Sequence, residues 1–148
     1  PVAVEIERKF LVTGAGWREA VRRVRDIRQV YLARTDAATV RVRIEDDRRA
    51  TLTVKGNRAG ATRAEFEWEI SVEDARAMAQ MGQGRQIRKR RHEVVSGGLT
   101  WEVDTFEDGL ILAEIELPGE NAAFHRPDWL GAEVTDDPAY YNAAMALD

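Results

Sequence analysis

Cysteine is absent from the chain, and histidine occurs only twice, as His92 and His125. Disulfides, thiolate metal sites and a cysteine nucleophile are therefore excluded. Two distant histidines cannot build a histidine-rich zinc cage. No apolar run approaches the ~20 residues of a membrane span, and no stretch resembles a signal peptide. A reducing, cytoplasmic setting with no membrane partner is the expectation. An excess of positive charge is lacking too. The net charge of −4 does not give the basic footprint of a protein that binds a nucleic acid polymer.

What the chain does have is charge of both signs. Charged residues make up 32% of it, against ~25% in ordinary soluble domains. Hydrophobic residues make up 44% of the 148 positions, enough for one domain over residues 1–148 with its own core.

The charges are patterned. From Val4 to Phe10, apolar and charged side chains alternate with period two. An extended strand sends successive side chains to opposite faces, so Glu5, Glu7 and Lys9 share one face and Arg8 falls on the other. The alternation recurs in order. Arg41 and Arg43 lie opposite Val40, Val42 and Ile44; Thr51, Thr53 and Lys55 share a face. Glu65, Glu67 and Glu69 oppose Phe66, Trp68 and Ile70; Lys89 and Arg91 are out of phase with Arg88, Arg90 and His92. Glu102 and Asp104 oppose Trp101 and Val103, and Glu114 and Glu116 oppose Ala113, Ile115 and Leu117.

Between these strands, Trp17, Ala20, Val21 and Val24 recur at helical spacing and predict a short amphipathic helix, with Arg18, Arg22 and Arg25 on its wet side. Residues 27–34 read as a strand, 45–49 as a hairpin loop and 57–62 as a mobile loop. Ser71 reads as the cap of a helix ended by Gly82, and a further short helix is expected over 139–147.

Roughly eight strands at hairpin spacing predict an antiparallel, meander-rich sheet. A half-exposed sheet with a solvated charged face accounts for any one strand. The set as a whole segregates acidic from basic strands, and a sheet closed into a barrel would collect those faces in one lumen. Clustered Arg and Lys suit a polyanion. Clustered carboxylates without sulfur or imidazole suit hard cations such as Mg²⁺, Mn²⁺ or Ca²⁺.

These residues resemble the CYTH superfamily, the triphosphate tunnel metalloenzymes, in its bacterial stand-alone form. Glu5-x-Glu7-x-Lys9 matches the ExExK signature. Val-Arg-Val-Arg (40–43), Leu-Thr-Val-Lys-Gly (52–56), Glu-Phe-Glu-Trp-Glu-Ile (65–70), Trp-Glu-Val-Asp (101–104), Ala-Glu-Ile-Glu-Leu (113–117) and tail segments 127–135 and 140–142 follow in order. The resemblance covers essentially the whole chain.

It implies an α+β, mainly β fold, an eight-stranded antiparallel β-barrel forming a tunnel with a few flanking helices. It implies hydrolysis or cyclisation of a small-molecule triphosphate with Mg²⁺ or Mn²⁺. Carried over by position, Lys9, Arg41, Arg43, Lys55, Lys89 and Arg91 grip the triphosphate; Glu5, Glu7, Glu114 and Glu116 are metal ligands; Lys9 and Glu7 are catalytic. Glu67, Glu69, Glu102 and Asp104 are left between ligating metal, orienting the basic residues and positioning water.

Three departures stand out. His92 replaces a frequent Tyr and is read as structural. Val30 replaces a frequent Gly. The loop after Phe106 is shortened to Glu107-Asp108-Gly109. Trp129, Tyr140 and Tyr141 are read as packing under the barrel, and no slot for a nucleobase or thiazole is evident. Inorganic triphosphate is the expected substrate. A class IV-like adenylate cyclase, a thiamine triphosphatase and a non-catalytic polyphosphate-binding module are the alternatives. The oligomeric state, a homodimer included, is left open.

Overall fold

The computed structural model describes residues 3–148. Nine strands are hydrogen-bonded in the order β5-β4-β3-β2-β6-β7-β8-β1-β9, and β5 also pairs with β1. Eight of them thus close into an antiparallel barrel, with β9 as an added strand. They are β1 (Val4–Val12), β2 (Val21–Arg34), β3 (Ala38–Glu45), β4 (Arg49–Gly56), β5 (Thr62–Ile70), β6 (Gln83–Ser96), β7 (Leu99–Phe106), β8 (Ile111–Glu116) and β9 (Leu130–Glu133). Helices α1 (Val72–Ala79) and α2 (Asn142–Leu147) flank the barrel. Among the described residues no helix is long and apolar enough to cross a membrane.

β1 is shared. One of its edges pairs with β8 from Glu7 to Leu11. The other edge is divided: Val4–Ile6 close the barrel against Thr62–Ala64, and Phe10 and Val12 pair with β9. β9 was missed in sequence because Leu130-Gly131-Ala132-Glu133 has no apolar alternation. Gly131 is needed there, since a Cβ would stand 2.9 Å from the Leu11 carbonyl oxygen.

The helix predicted from Trp17 onward is corrected. Only Gly16–Ala20 form a single 3₁₀ turn, and Val21 opens a 14-residue strand. Valines at 21 and 24 satisfy a helical spacing, but β-branched side chains favour the extended backbone. The pairing partner, β6, is itself 14 residues long, and the ladder it offers decides the outcome. Trp17 is fully buried against His92 at 4.9 Å between ring centroids. His92 holds the Val103 carbonyl through Nδ1 at 3.0 Å, so it is structural, as read.

The apolar faces that oppose the charges form the outer core. Phe10, Trp101, Val103, Ile115, Leu117 and Trp129 cluster beneath the 118–130 segment. Val42, Ile44 and Ala50 are covered by Ala75 of α1. Helix α1 begins where expected, with the Ser71 hydroxyl accepting from the Asp74 N–H at 3.0 Å.

Gly82 follows α1 and is explained by close approach. A Cβ there would fall 2.0 Å from Val30 Cγ1. Val30 is the side chain that stands where the resembled family frequently has glycine, so the bulk gained at 30 is accommodated by its absence at 82. Gly82→Ala is expected to cost about 1–3 kcal/mol by overpacking. Val30→Ala should restore part of that loss in a double-mutant cycle read by urea denaturation. Additive costs would overturn the pairing.

Candidate active site

The charged faces converge. A cavity of about 460 Å³ inside the barrel is lined by Glu5, Glu7, Lys9, Arg41, Arg43, Lys55, Glu67, Lys89, Arg91, Glu102, Glu114 and Glu116, among others. Register explains this. Glu7 faces Glu116 and Lys9 faces Glu114 across β1–β8. Glu114 faces Glu102 across β7–β8, and Arg91 faces Asp104 across β6–β7. Lys55 faces Glu65 and Thr53 faces Glu67 across β4–β5. Cross-strand partners point to the same side of a sheet, so each alternating face carries the next into the lumen.

All six predicted basic residues line the cavity. Lys9, Arg41, Lys89 and Arg91 are buried. Lys9 Nζ donates to the Tyr140 carbonyl at 2.9 Å. Lys89 Nζ donates to Asn142 Oδ1 at 2.9 Å and stands 2.7 Å from Asp104 Oδ2. Arg91 grips Asp104 with Nε and Nη2 at 2.8 and 2.9 Å, and its remaining reach goes to Glu102 and Glu114 at 3.3 and 3.5 Å. Arg43 Nε donates to Gln29 Oε1 at 3.0 Å. Lys55 spans Glu5 and Glu65 at 3.1 and 3.3 Å.

Burial lowers the Arg43 pKa to about 10, with Arg41 and Arg91 adding repulsion. Burial likewise brings Lys89 down to about 7 against the pull of Asp104. Such crowding of cations is the electrostatic signature of a cavity built for an anion.

The carboxylates divide by surroundings. Burial opposes ionisation of Asp104, but Arg91 and Lys89 bring it down to about 2. It is fully buried and paired with those two cations. Burial also opposes ionisation of Glu5, and the Lys55 charge together with hydrogen bonds from Glu65 and Lys55 outweighs it.

Glu7 and Glu114 adjoin. Burial and the Glu114 charge push Glu7 well above the ordinary carboxylate range. Lys9, a hydrogen bond from Glu7, Arg91 and Lys89 hold Glu114 well below it, overcoming burial. Two adjoining buried carboxyls repel each other where a cation would relieve both. Among the described residues no three carboxylate or imidazole groups already converge as a metal cage. The adjoining carboxyls of Glu7 and Glu114 supply oxygen donors of the kind hard divalent cations take, in shells completed by substrate oxygens and water. Glu116 lies on the same lining and is more exposed than Glu114, two residues before it on β8. Glu69 is not brought into the cavity. It pairs at 3.5 Å with Arg49, both side chains being more than half exposed.

Several lining residues were not anticipated. Arg25, expected on a wet helix face, is on β2 and bridges Glu45 and Glu102 at 3.2 and 3.1 Å. Counting back by twos from Tyr31 and Gln29 would have found it. Tyr31 and Arg63 also line the cavity. The chain's end contributes as well: Asn142 receives Gln29 Nε2 at 2.7 Å. Tyr141 lines the cavity with its hydroxyl donating to the Thr135 carbonyl at 3.1 Å, a correction to the reading that it packs under the barrel. Trp129 does pack there. Arg8 stays outside, paired with Glu133, as alternation requires.

A closed antiparallel barrel with charged strands facing inward defines the class, and the match to the family model confirms it: residues 3–141 match the CYTH domain, and the chain belongs to that family. Among known proteins it is similar to an inorganic triphosphatase of Acetivibrio thermocellus, at 43% identity over 95% of this chain and 92% of that protein. It is similar to an inorganic triphosphatase of Nitrosomonas europaea, at 35% identity over 97% of both chains. A crystal structure described as an inorganic triphosphatase superposes with a TM-score of 0.69 at 33% identity, covering 97% of this chain and 95% of that one. A Pyrococcus horikoshii structure shares the fold at 22% identity and a TM-score of 0.65, over 79% of this chain and 80% of that one.

Proposed function

We propose that this chain hydrolyses inorganic triphosphate to phosphate and pyrophosphate with the help of Mg²⁺ or Mn²⁺, in a reducing, cytoplasmic setting. The observation that carries the reading is the convergence of six basic side chains and the adjoining Glu7–Glu114 pair in one cavity of about 460 Å³. The near-full-length similarity to proteins named inorganic triphosphatases supports it.

In this reading Arg41, Arg43, Lys55, Lys89 and Arg91 hold the phosphate oxygens and neutralise charge that builds in the transition state. Lys9, beside Glu114, stands against the phosphate that is attacked or released. Asp104 keeps Lys89 and Arg91 aimed at the lumen. Glu7 and Glu114, with Glu5 and Glu116, would hold the metal, which when bound polarises phosphate oxygens and water. Water adds to phosphorus, the phosphoanhydride bond breaks, and the water's proton leaves to solvent or to a lumen carboxylate. Tyr141 and Asn142 line the cavity beside Lys9 and Lys89.

The test is direct. Triphosphate, ATP and thiamine triphosphate are each incubated with the protein and Mg²⁺ or Mn²⁺, and phosphate and cyclic AMP are measured. Phosphate release from inorganic triphosphate, fastest by at least tenfold, is expected. Cyclic AMP from ATP would make the chain a cyclase, and no product from any substrate would make it a binding module.

A further inference from the structure

Arg58 is a cation that the reading above leaves unused. It sits on the 57–61 segment that joins β4 to β5 at one end of the barrel, and it lines the cavity. Its Nε and Nη1 are buried with no hydrogen-bond partner among the described residues, and no carboxylate there pairs with it within 4.0 Å. Arg25, Arg41, Lys55, Lys89 and Arg91 each have an acidic partner within that distance. Buried donors in native proteins are nearly always satisfied, so those left open mark a place where something binds.

Its surroundings are built, not loose. Ala59 and Thr62 bridge across the turn, and the Ala61 N–H donates to Glu120 Oε1 at 2.7 Å. Asn57 Nδ2 donates to the Asp36 carbonyl. The segment read from sequence as mobile is thereby tied down on both sides. The Arg58 guanidinium carbon lies 5.1 Å from the Tyr141 ring centroid, and that ring is fixed by its hydroxyl bond to Thr135. Lys9 Nζ lies 5.9 Å from the same centroid. One pinned ring therefore connects Arg58 to the lysine assigned to the reacting phosphate. A guanidinium with unpaired donors recognises phosphate oxygens in preference to an apolar group.

We infer that Arg58 forms an outer anion subsite, which takes the next phosphate along from the one at Lys9 and so favours linear polyphosphates longer than three units. The inference rests on the triphosphatase reading, and two measurements keep them apart. Initial rates with inorganic triphosphate and linear tetraphosphate, with Mg²⁺, are compared for the unaltered chain, Arg58→Ala and Arg58→Lys. The tetraphosphate-to-triphosphate ratio of kcat/KM is expected to fall about tenfold in Arg58→Ala, mostly through KM for tetraphosphate, and to be partly restored in Arg58→Lys. Equal losses for both substrates, or an unchanged ratio, would overturn the subsite. Calorimetric binding of the two polyphosphates, without turnover, reports on Arg58 even if the unaltered chain hydrolyses neither. A tetraphosphate affinity that Arg58→Ala leaves unchanged would sink the inference whatever the activity.

Discussion

Lys9→Ala is expected to abolish triphosphate hydrolysis while the barrel stays folded. Lys9 is 5% exposed and faces Glu114 across β1–β8, and its ammonium is held by a backbone carbonyl at 2.9 Å. A carbonyl fixes its position without neutralising it, so the positive charge remains available to a phosphate. Removing one preorganised charge from a water-poor site costs about 10²–10³ in rate, and here the lost group also positions the anion.

The fold should tolerate the change, because Glu114 keeps Arg91 at 3.5 Å and Tyr140 stays in its 3₁₀ turn. Phosphate release and a thermal melt on the same preparation decide the matter. Activity within tenfold of the unaltered chain, or a melt showing an unfolded protein at 25 °C, would count against Lys9 as a catalytic residue. Glu7→Ala should behave alike in rate.

Asp104→Ala is expected to have the largest effect on stability, about 3–5 kcal/mol, because it strands two buried cations. Lys89 and Arg91 side chains are 1% and 8% exposed, and Asp104 is the carboxylate both use. The pH dependence has a definite sign. A folded-state pKa of about 2 lies below the ~3.9 of an unfolded Asp. The pair's stabilisation is therefore complete above about pH 4 and disappears as pH falls toward 2. Urea midpoints measured from pH 6 down to pH 2 should fall more steeply for the unaltered chain than for Asp104→Asn. Parallel slopes would mean that Asp104 does not carry the acid sensitivity.

Much of the lumen was legible because strand periodicity is strict. A charged side chain at every second position, as in Glu5-Ile6-Glu7-Arg8-Lys9, can only be collected on one face. That argument placed the six cations and Glu5, Glu7, Glu67, Glu102, Glu114 and Glu116 on the cavity lining, with Asp104 buried against Lys89 and Arg91. It over-reached at Glu69, since periodicity gives the face of a residue and not its depth along the barrel. It failed at Arg25, where Trp17, Ala20, Val21 and Val24 fit a helical period and a strand equally well; only the 14-residue partner β6 breaks the tie, and that partner is about 60 positions away in sequence. Tyr141, Asn142 and Arg58 were beyond reach for another reason. They enter from a tail and a hairpin loop, whose places depend on tertiary contacts with Thr135, Gln29 and Glu120.

The division of β1 between two neighbours makes the barrel a hoop with one short clasp. Three residue pairs, Val4 with Ala64, Glu5 with Arg63 and Ile6 with Thr62, fasten it, where β3 and β4 are joined by eight. Local opening begins where pairing is thinnest, so this clasp is the wall's least costly place to part. Glu5 is one of its teeth, and its carboxylate is bound to Lys55 at 3.1 Å. Any cation or anion that recruits Glu5 or Lys55 acts on the fastening as well as on the chemistry. By mass action, whatever binds the fastened form more tightly also keeps it fastened. A filled lumen is therefore a tighter hoop, and loading and closure are two readings of one equilibrium.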